Sequence, residues 1–519
     1  MSVLRRVTAG AIVLRSSTVA FERPDRLPKA LLAMAPWGAS LAGGMAAAAA
    51  RYPGREAVID DEGPLTYRDL WQHSRSVARA LVARGIGPDV RVGLMCRNHR
   101  GFVEWLVAVA ATGADVVLLN TGFARPQLAD VVVGERIGFV IHDDEFTDVV
   151  DGCQAQCFDE ATMSDMGLAG GSLRPRTAHG SIVILTSGTT GRPKGAARRS
   201  DPAAIEGVAA LLQKLPYRLG DVQVIAAPLF HAWGLTNLLL GVSRCTTNVL
   251  ARRFDPGQTL AATAAHRADV LVVVPVMLAR ILALSPEILV QSPTPGLRVI
   301  ASSGSAPGSR LVEEALNRFG PVLYNLYGST EVAVATIATP ADLRRAPSTA
   351  GRVAFGVRVE ILDAAGQPVA EGAVGRVFVG GAMRFDGYTT GGGKEKVRGL
   401  LSSGDLGHFE DGLLFVEGRE DDMIVSGGEN VFPAEVEELL SRHPGIAEAA
   451  VVGVPDNEFG QVLAAFVVCR HGATLTVEEV RNHVRTHLAR YKVPRQVKFL
   501  DELPRNPTGK VLRRVLATS

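Results

Sequence analysis

Short apolar runs, each closed by turn residues and followed by a helix-like stretch, return along most of this chain: Arg91 to Met95, Asp115 to Leu119, Ser181 to Leu185 and Asp269 to Val274. Strands so short and so uniformly apolar need cover on both faces, and the helices between them supply it. The expected fold class is therefore α/β, with parallel sheets and helices in a large N-terminal domain. Between Ala350 and Val379 the pattern changes. Arg358 to Leu362 and Gly375 to Val379 alternate polar and apolar residues, with Gly, Pro and Asp between them, which predicts antiparallel strands and a small β-barrel-like part. After Phe432 it changes again. A helix from Pro433 to Arg442, strands from Ala447 to Val454 and from Leu463 to Cys469, and a helix from Val477 to Arg490 describe a small α+β domain, and Pro433 suits a first helical turn. A chain of 519 residues exceeds one ordinary domain, and the Gly- and Asp-rich stretch from Gly418 to Asn430 is the natural joint. The expected organisation is a large domain over 1–418 and a small one over 422–519, joined through 419–421.

Bulk chemistry removes several function classes. Lys plus Arg number 55 against 53 Asp plus Glu, a balance of +2 that lacks the cationic surplus a nucleic-acid binder needs to neutralise phosphates. The five cysteines, Cys96, Cys153, Cys157, Cys245 and Cys469, are odd in number and scattered, which fits a reducing, cytoplasmic setting better than a disulfide framework. Cys153 and Cys157 have no second Cys or His pair nearby to complete a zinc site. Near the N-terminus, Arg5, Arg6 and Arg15 interrupt a short apolar run, so the segment reads as a docked helix or one that could rest peripherally on a membrane, not as a secretory signal. No apolar run approaches the roughly 18 residues of a spanning helix.

The densest chemical signal is Thr186-Ser187-Gly188-Thr189-Thr190-Gly191-Arg192-Pro193-Lys194-Gly195, directly behind the run that ends at Leu185. Small hydroxyl residues and glycines leave N–H and O–H donors free to face a polyphosphate, and Lys194 adds a compact positive charge. A solvated loop would not need that composition behind a buried strand. The common NTPase loop requires G-x-x-x-x-G-K-[ST], whereas Arg192 and Pro193 follow Gly191 here.

The run instead resembles the signature of the adenylate-forming superfamily of acyl-CoA synthetases, peptide-synthetase adenylation domains and beetle luciferases. The remaining motifs of that superfamily follow in order. Pro228-Leu229-Phe230-His231-Ala232-Trp233-Gly234 resembles its aromatic-plus-histidine segment, which implies that His231 lies by the reacting carboxylate. Ser303-Gly304-Ser305-Ala306-Pro307 resembles the turn that borders adenine. Asn325-Leu326-Tyr327-Gly328-Ser329-Thr330-Glu331 resembles the segment in which Tyr327 would stack on the base, Thr330 would contact the α-phosphate and Glu331 would hold Mg²⁺. Ser403-Gly404-Asp405 is similar to the superfamily's T-G-D, with Asp405 placed to accept from ribose hydroxyls, and Arg419 follows. Ser426-Gly427-Gly428-Glu429-Asn430 resembles the start of the mobile domain, which implies a CoA contact at Gly427, Gly428 and Glu429 and a hinge at Asp421. Leu503-Pro504-Arg505-Asn506-Pro507-Thr508-Gly509-Lys510 resembles the loop that carries the catalytic lysine, Lys510.

The resemblance implies an acid:CoA ligase that uses ATP, Mg²⁺ and coenzyme A and forms an acyl-AMP intermediate. Asn98-His99-Arg100, Asn120-Thr121-Gly122 and Gly427-Gly428-Glu429-Asn430 are similar to bacterial fatty acid:CoA ligases, which implies a medium- to long-chain fatty acid. Two positions depart from the pattern: Arg376 stands where a glutamate is frequent, and Ala196-Ala197-Arg198-Arg199 replaces a common ending in Ser or Thr plus His. A fatty acyl-AMP ligase that loads a carrier protein would share every motif. A luciferase-like oxygenase and a non-catalytic acyl- or nucleotide-binding homologue are the remaining alternatives, the second opposed by Lys194, Glu331, Asp405 and Lys510 occurring together.

Overall fold

A computed structural model describes residues 8, 9, 12, 25–167, 173, 175, 180–187, 193–198, 204–381, 387–389, 391, 393–426, 429–456, 460–507 and 509–518. The N-terminal basic segment, with Arg5, Arg6 and Arg15, lies outside the described residues.

Two parallel sheets with helical cover form the large part. In the nine-stranded sheet, Leu323–Ser329, Val299–Ser303, Val270–Val273, Val222–Ile225, Thr247–Leu250 and Glu56–Asp60 run parallel in that spatial order, with antiparallel strands only at the edges. The six-stranded sheet orders Gln156–Phe158, Phe139–His142, Arg91–Met95, Asp115–Leu118 and Ile182–Ser187 in parallel, and Pro193–Arg198 closes it antiparallel. Val270 to Val273 are all buried, as an apolar run covered on both faces must be. The principal core includes helix Tyr67–Ala83, whose apolar face of Leu70, Val77, Ala78 and Leu81 is buried, and helix Arg100–Thr112, buried nearly all round.

The alternating region forms the expected antiparallel sheet, with Arg358–Leu362, Gly375–Gly380, Leu400–Glu410 and Leu413–Arg419 among its five strands, as a half-barrel. The C-terminal sheet also has five strands, with helices Pro433–Ser441 and Val477–His487. Its parallel strand Gln496–Phe499 was not anticipated, because an alternation only four residues long carries little signal.

Three expectations need adjustment. Thr186 and Ser187 pair with Lys194 and Pro193, so both ends of the hydroxyl-rich motif lie in one antiparallel strand pair. The helix expected to reach Arg490 stops at His487, because Leu488 and Ala489 take extended backbone before a short 3-10 turn. The described residues of the joint expected from Gly418 to Asn430 are structured too. Leu413–Arg419 finishes the half-barrel, Glu420–Asp422 is one 3-10 turn, and Ile424–Ser426 already pairs with Glu429–Val431 in the C-terminal sheet.

The C-terminal part packs against the large one by specific polar contacts. The Ser309 N–H donates to the Glu438 carboxylate, and Arg310 Nη1 donates to the carbonyls of Ser441, His443 and Ile446 at 2.9 to 3.3 Å. The loop that ends at Lys510 is wedged between two glycine-dependent contacts. A Cβ on Gly122 would stand 2.4 Å from Pro507 Cγ, and one on Gly509 would stand 2.4 Å from Val276 Cγ1. Gly509 also has φ +82, which disfavours any side chain.

Candidate active site

In an open α/β sheet the carboxyl ends of parallel strands expose loops and unpaired backbone, and ligands collect there. Val299–Ser303 and Leu323–Ser329 run in register, with Ser302 opposite Asn325 and Ser303 opposite Leu326, and both end at the same edge. Gly304, Ser305 and Ala306 emerge there exposed, beside Tyr327, Gly328, Ser329, Thr330 and Glu331. Gly328 is obligatory: a Cβ there would stand 1.8 Å from the Ala333 carbonyl oxygen. Asn325 Oδ1 and Ser302 Oγ are buried without a hydrogen-bond partner among the described residues. A buried polar atom left unpaired is costly, so each marks a position that a ligand or water would satisfy.

Hydroxyl groups orient the acidic residues. Ser329 Oγ donates to Glu331 Oε2 at 2.8 Å, and the Tyr388 hydroxyl donates to Glu331 Oε1 at 2.9 Å. The Tyr327 hydroxyl donates to Asp405 Oδ2 at 2.5 Å, and the Arg419 guanidinium lies 3.8 Å from Asp405 Oδ1. Burial, followed by the Asp405 charge, raises the Tyr327 pKa, so its proton stays in that hydrogen bond. Asp405 and Arg419 face each other across adjacent antiparallel strands. Lys394 adds a second cation, with its Nζ and Arg419 Nη2 both 3.3 Å from where a Gly404 Cβ would stand.

The C-terminal loop brings Lys510 into this group. The residue keeps open surface, but protein atoms crowd its ammonium; that burial, followed by Arg419, pushes its pKa below the usual lysine range, and Asp405 and Glu331 oppose the shift. His231 precedes helix Ala232–Ser243, and its Nε2 is buried without a partner among the described residues. Burial first, then Lys510, lowers the His231 pKa to about 3, which keeps the imidazole neutral at physiological pH. Asn98 fixes the approach to this residue. Its amide donates to the carbonyls of Ile225 and Ala227, and its Oδ1 accepts from the Leu229 N–H at 2.8 Å. The structure therefore gathers His231, Glu331, Asp405, Arg419 and Lys510.

Other expected site residues are less fully described. Gly188, Thr189, Thr190, Gly191, Gly427 and Gly428 lie outside the described residues, while Thr186, Ser187, Lys194 and Glu429 are placed only by their strands. Asp421 is exposed in the 3-10 turn, and Thr330 is half-buried beside Glu331.

The sequence reading did not single out Glu135, Tyr388, Thr389 or Lys394. Glu135 Oε1 accepts from the Gly195 N–H at 3.0 Å and from Thr389 Oγ1 at 2.6 Å, and the Thr389 N–H donates to the Gly195 carbonyl. A Cβ on Gly195 would meet Thr389 at 2.5 Å and Glu135 at 2.7 Å. Ala196 bridges to Tyr388, so Tyr388 ties this strand pair to Glu331 while Thr389 beside it ties the same pair to Glu135. Arg376, a departure from the motif pattern, pairs with Glu395 and with Glu420 in the 3-10 turn.

Two further clusters are structural. His99, Asp143 and Glu160 have metal-like spacing. The Gly101 N–H donates to His99 Nδ1, so Nε2 carries the proton and donates to Asp143 at 2.8 Å, while Arg252 grips Glu160 with two nitrogens at 2.9 and 3.1 Å. Cys153 and Cys157 sit with sulfurs 3.5 Å apart, and burial, followed by hydrogen bonding to Cys153, pushes the Cys157 thiol up to about 12. Among the described residues no helix is long and apolar enough to cross a membrane.

The AMP-binding enzyme family model matches residues 45–389, and the AMP-binding enzyme C-terminal domain model matches residues 435–510. The indoleacetate–CoA ligase of Aromatoleum aromaticum is 34% identical, with 88% of this chain and 94% of that protein covered. The fatty acid–[acyl-carrier-protein] ligase ScoC of Streptomyces coeruleorubidus is 32% identical over 89% of this chain and 93% of that one. The solved o-succinylbenzoate CoA synthetase of Bacillus subtilis, in complex with the acyl-adenylate intermediate OSB-AMP, superposes with a TM-score of 0.81 at 28% identity, covering 91% of this chain and 97% of that chain. With both halves matched and the motifs in order along the fold, the chain belongs to the AMP-binding enzymes of the adenylate-forming superfamily.

Proposed function

We propose that the protein is an ATP-dependent acid:CoA ligase, which joins a carboxylic acid to AMP with release of pyrophosphate and then passes the acyl group to the thiol of coenzyme A with release of AMP. The observation that carries this reading is the convergence of Lys510, delivered by a C-terminal loop, with His231, Glu331 and Asp405 at the carboxyl edge of a parallel sheet. Relatives named as acid-activating ligases support it.

The chemistry explains the need for these residue types. A carboxylate is a poor electrophile, and its attack on an α-phosphorus brings two anions together. Fixed positive charge in a dehydrated site is the principal remedy. Lys510 would supply it to the developing transition state, and Thr330 would donate to the α-phosphate. His231, neutral and with Nε2 unpaired, would hold a carboxylate oxygen without adding charge. Asn325 Oδ1 would take the exocyclic amine of adenine, the Tyr327 ring would lie on the base behind Gly304, Ser305 and Ala306, and Asp405 and Arg419 would hold the ribose. The segment from Thr186 to Lys194, with Ser187, Gly188, Thr189, Thr190 and Gly191, would enclose the outer phosphates.

Glu331 fits a hard divalent cation, because each carboxylate oxygen takes one O–H donor and keeps further lone pairs. Mg²⁺ held there would neutralise phosphate charge. For the second step the Lys510 loop must withdraw so that the thiol can reach the acyl carbon. Rotation of the small domain about Asp421 would accomplish this and bring Gly427, Gly428 and Glu429 toward CoA.

A medium- to long-chain fatty acid, as the motif resemblance implies, has one supporting relative in ScoC. Relatives named as indoleacetate and o-succinylbenzoate ligases favour a compact aromatic acid over that chain. ScoC also supports a second reading for the acceptor, a carrier-protein thiol in place of CoA. A pyrophosphate-release screen across aliphatic and aromatic acids, with and without CoA, tests both. Release of pyrophosphate with consumption of CoA is expected; release without thioester formation would favour the carrier, and no release with any acid would overturn the ligase reading.

A further inference from the structure

Glu135 follows helix Arg125–Gly134 and is 2% exposed, yet it stands apart from the group gathered around Lys510. A buried carboxyl must be matched by donors, and this one takes them from distant segments. Arg91 Nη1 donates to Oε2 at 3.1 Å, while the Gly195 N–H at 3.0 Å and Thr389 Oγ1 at 2.6 Å donate to Oε1. Thr389 closes the ring, because its own N–H donates to the Gly195 carbonyl at 2.8 Å. The N–H and the carbonyl of Gly195, the residue after Lys194, are thereby both held. A side chain has no room there: a Cβ would stand 2.5 Å from Thr389 Oγ1 and 2.7 Å from both Glu135 Oε1 and Val183 Cγ1. One residue along each strand, Ala196 bridges to Tyr388, whose hydroxyl donates to Glu331 Oε1 at 2.9 Å. Gly195 belongs to the six-stranded sheet, and Glu331 follows the strand Leu323–Ser329 of the nine-stranded one. Thr389 and Tyr388 therefore strap the two sheets together beside the site.

We propose that Glu135 is a positioning residue for the nucleotide: it holds Thr389 against Gly195, and Tyr388 beside it then fixes the Glu331 carboxylate relative to the strand that carries Lys194, so that the phosphate-binding segment and the cation-binding acid act as one unit. This rests on the ligase reading above. Mg²⁺ tolerates little departure from octahedral geometry at about 2.0 to 2.1 Å, so a carboxylate on one sheet and phosphates held by another must be kept in register. Displacement by about 1 Å in such an arrangement is enough to cost two orders of magnitude in rate. Glu135 reaches none of the reacting atoms and acts only through the strap. Its carboxyl is suited to the task because both oxygens accept. An amide at 135 would turn its NH₂ either to Arg91 or to the Gly195 N–H, and each is donor against donor.

The test uses the full-length protein and two readouts: calorimetric titration with ATP, with and without Mg²⁺, and pyrophosphate release with indole-3-acetate or octanoate as the acid. Glu135→Gln and Thr389→Val are each expected to weaken MgATP binding and to raise KM for ATP by about tenfold or more, the scale of one hydrogen bond to a charged group, and to weaken binding less when Mg²⁺ is left out. KM for the acid should stay within about threefold of the wild type. Thr389→Ser, which keeps the hydroxyl, should restore the parental values. Tyr388→Phe combined with Thr389→Val should cost less than the product of the two single effects, since a strap already cut at one residue loses little when cut at the next. A merely structural role gives a lower thermal midpoint with an unchanged KM for ATP. That outcome, a fully multiplicative pair, or no recovery in Thr389→Ser would overturn the assignment. Should Glu135→Gln fail to fold, Thr389→Val and Thr389→Ser decide. If MgATP binding weakens as expected while neither acid releases pyrophosphate, the ligase reading fails and the positioning role stands. If pyrophosphate is released and Thr389→Val binds MgATP as the wild type does, the reverse holds; no MgATP binding by the wild type sinks both.

Discussion

Lys510 and His231 are two basic groups crowded into one site, and both have pKa values depressed chiefly by burial. Lys510→Ala is expected to lower ATP–pyrophosphate exchange by about 100-fold or more, the scale of losing one well-placed electrostatic contact, while thioester formation from supplied acyl-adenylate survives. Exchange at the parental rate would remove Lys510 from the chemistry. Because its pKa lies below the usual lysine range, the alkaline limb of kcat/KM for adenylation should fall earlier than for an ordinary lysine. His231 makes a stability prediction of defined sign. Its folded pKa of about 3 lies below the ordinary 6.5, so between those values the unfolded chain binds more protons and stability falls as pH falls. The loss is complete near pH 3 and bounded on the order of 5 kcal/mol. His231→Gln should therefore unfold with a shallower acid dependence in chemical denaturation between pH 6.5 and 4; an identical slope would mean that the ring is not held neutral by burial. Tyr388→Phe removes the donor to Glu331 Oε1, and a charge-assisted bond of roughly 1.5 to 3 kcal/mol predicts a loss of about tenfold or more in adenylation.

At the scale of elements, what was legible in the sequence divides by the range of the interaction. The buried strand Val270–Val273, the alternation of Arg358–Leu362 and the proline-led helix Pro433–Ser441 each announce themselves locally, through burial period or capping. Lys510 was legible because a run of motif residues surrounds it. The clamp of Glu135, Gly195 and Thr389 was not, since it joins three distant segments and each residue alone is unremarkable in its context. The same reasoning gives a test of the loop that carries Lys510. Gly122→Val would press on Pro507 and keep the loop from seating, so adenylate formation should fall while thioester formation from supplied acyl-adenylate persists. Asp421→Pro, which fixes φ in the 3-10 turn, should do the reverse, sparing adenylation and suppressing thioester formation. Parallel losses in both half-reactions for both variants would refute a loop and turn that act at separate steps.

Across the whole molecule, the proposed mechanism makes two requirements compete for one site: the ammonium would have to be present for adenylation and absent for thiol attack. A protein that meets both needs a docked arrangement held only loosely. Among the described residues the polar contacts between the two parts include Ser309 to Glu438, Arg310 to the carbonyls of Ser441, His443 and Ile446, and Arg470 to Glu314, beside the seating of Pro507 and Gly509 on the large part. Hydrogen bonds from one guanidinium are worth roughly 1 to 3 kcal/mol net, so Arg310→Ala should shift the docked population by about tenfold or more without unfolding either part. In single-turnover experiments, adenylation should slow by that factor, whereas thioester formation from supplied acyl-adenylate should hold steady or quicken, because the loop withdraws more readily. The thermal midpoint should change little, since Arg310 is partly exposed and buries no core surface. Equal slowing of both steps would mean that Arg310 stabilises the fold and not the docked arrangement, and an unchanged adenylation rate would mean that the remaining contacts hold the Lys510 loop without it.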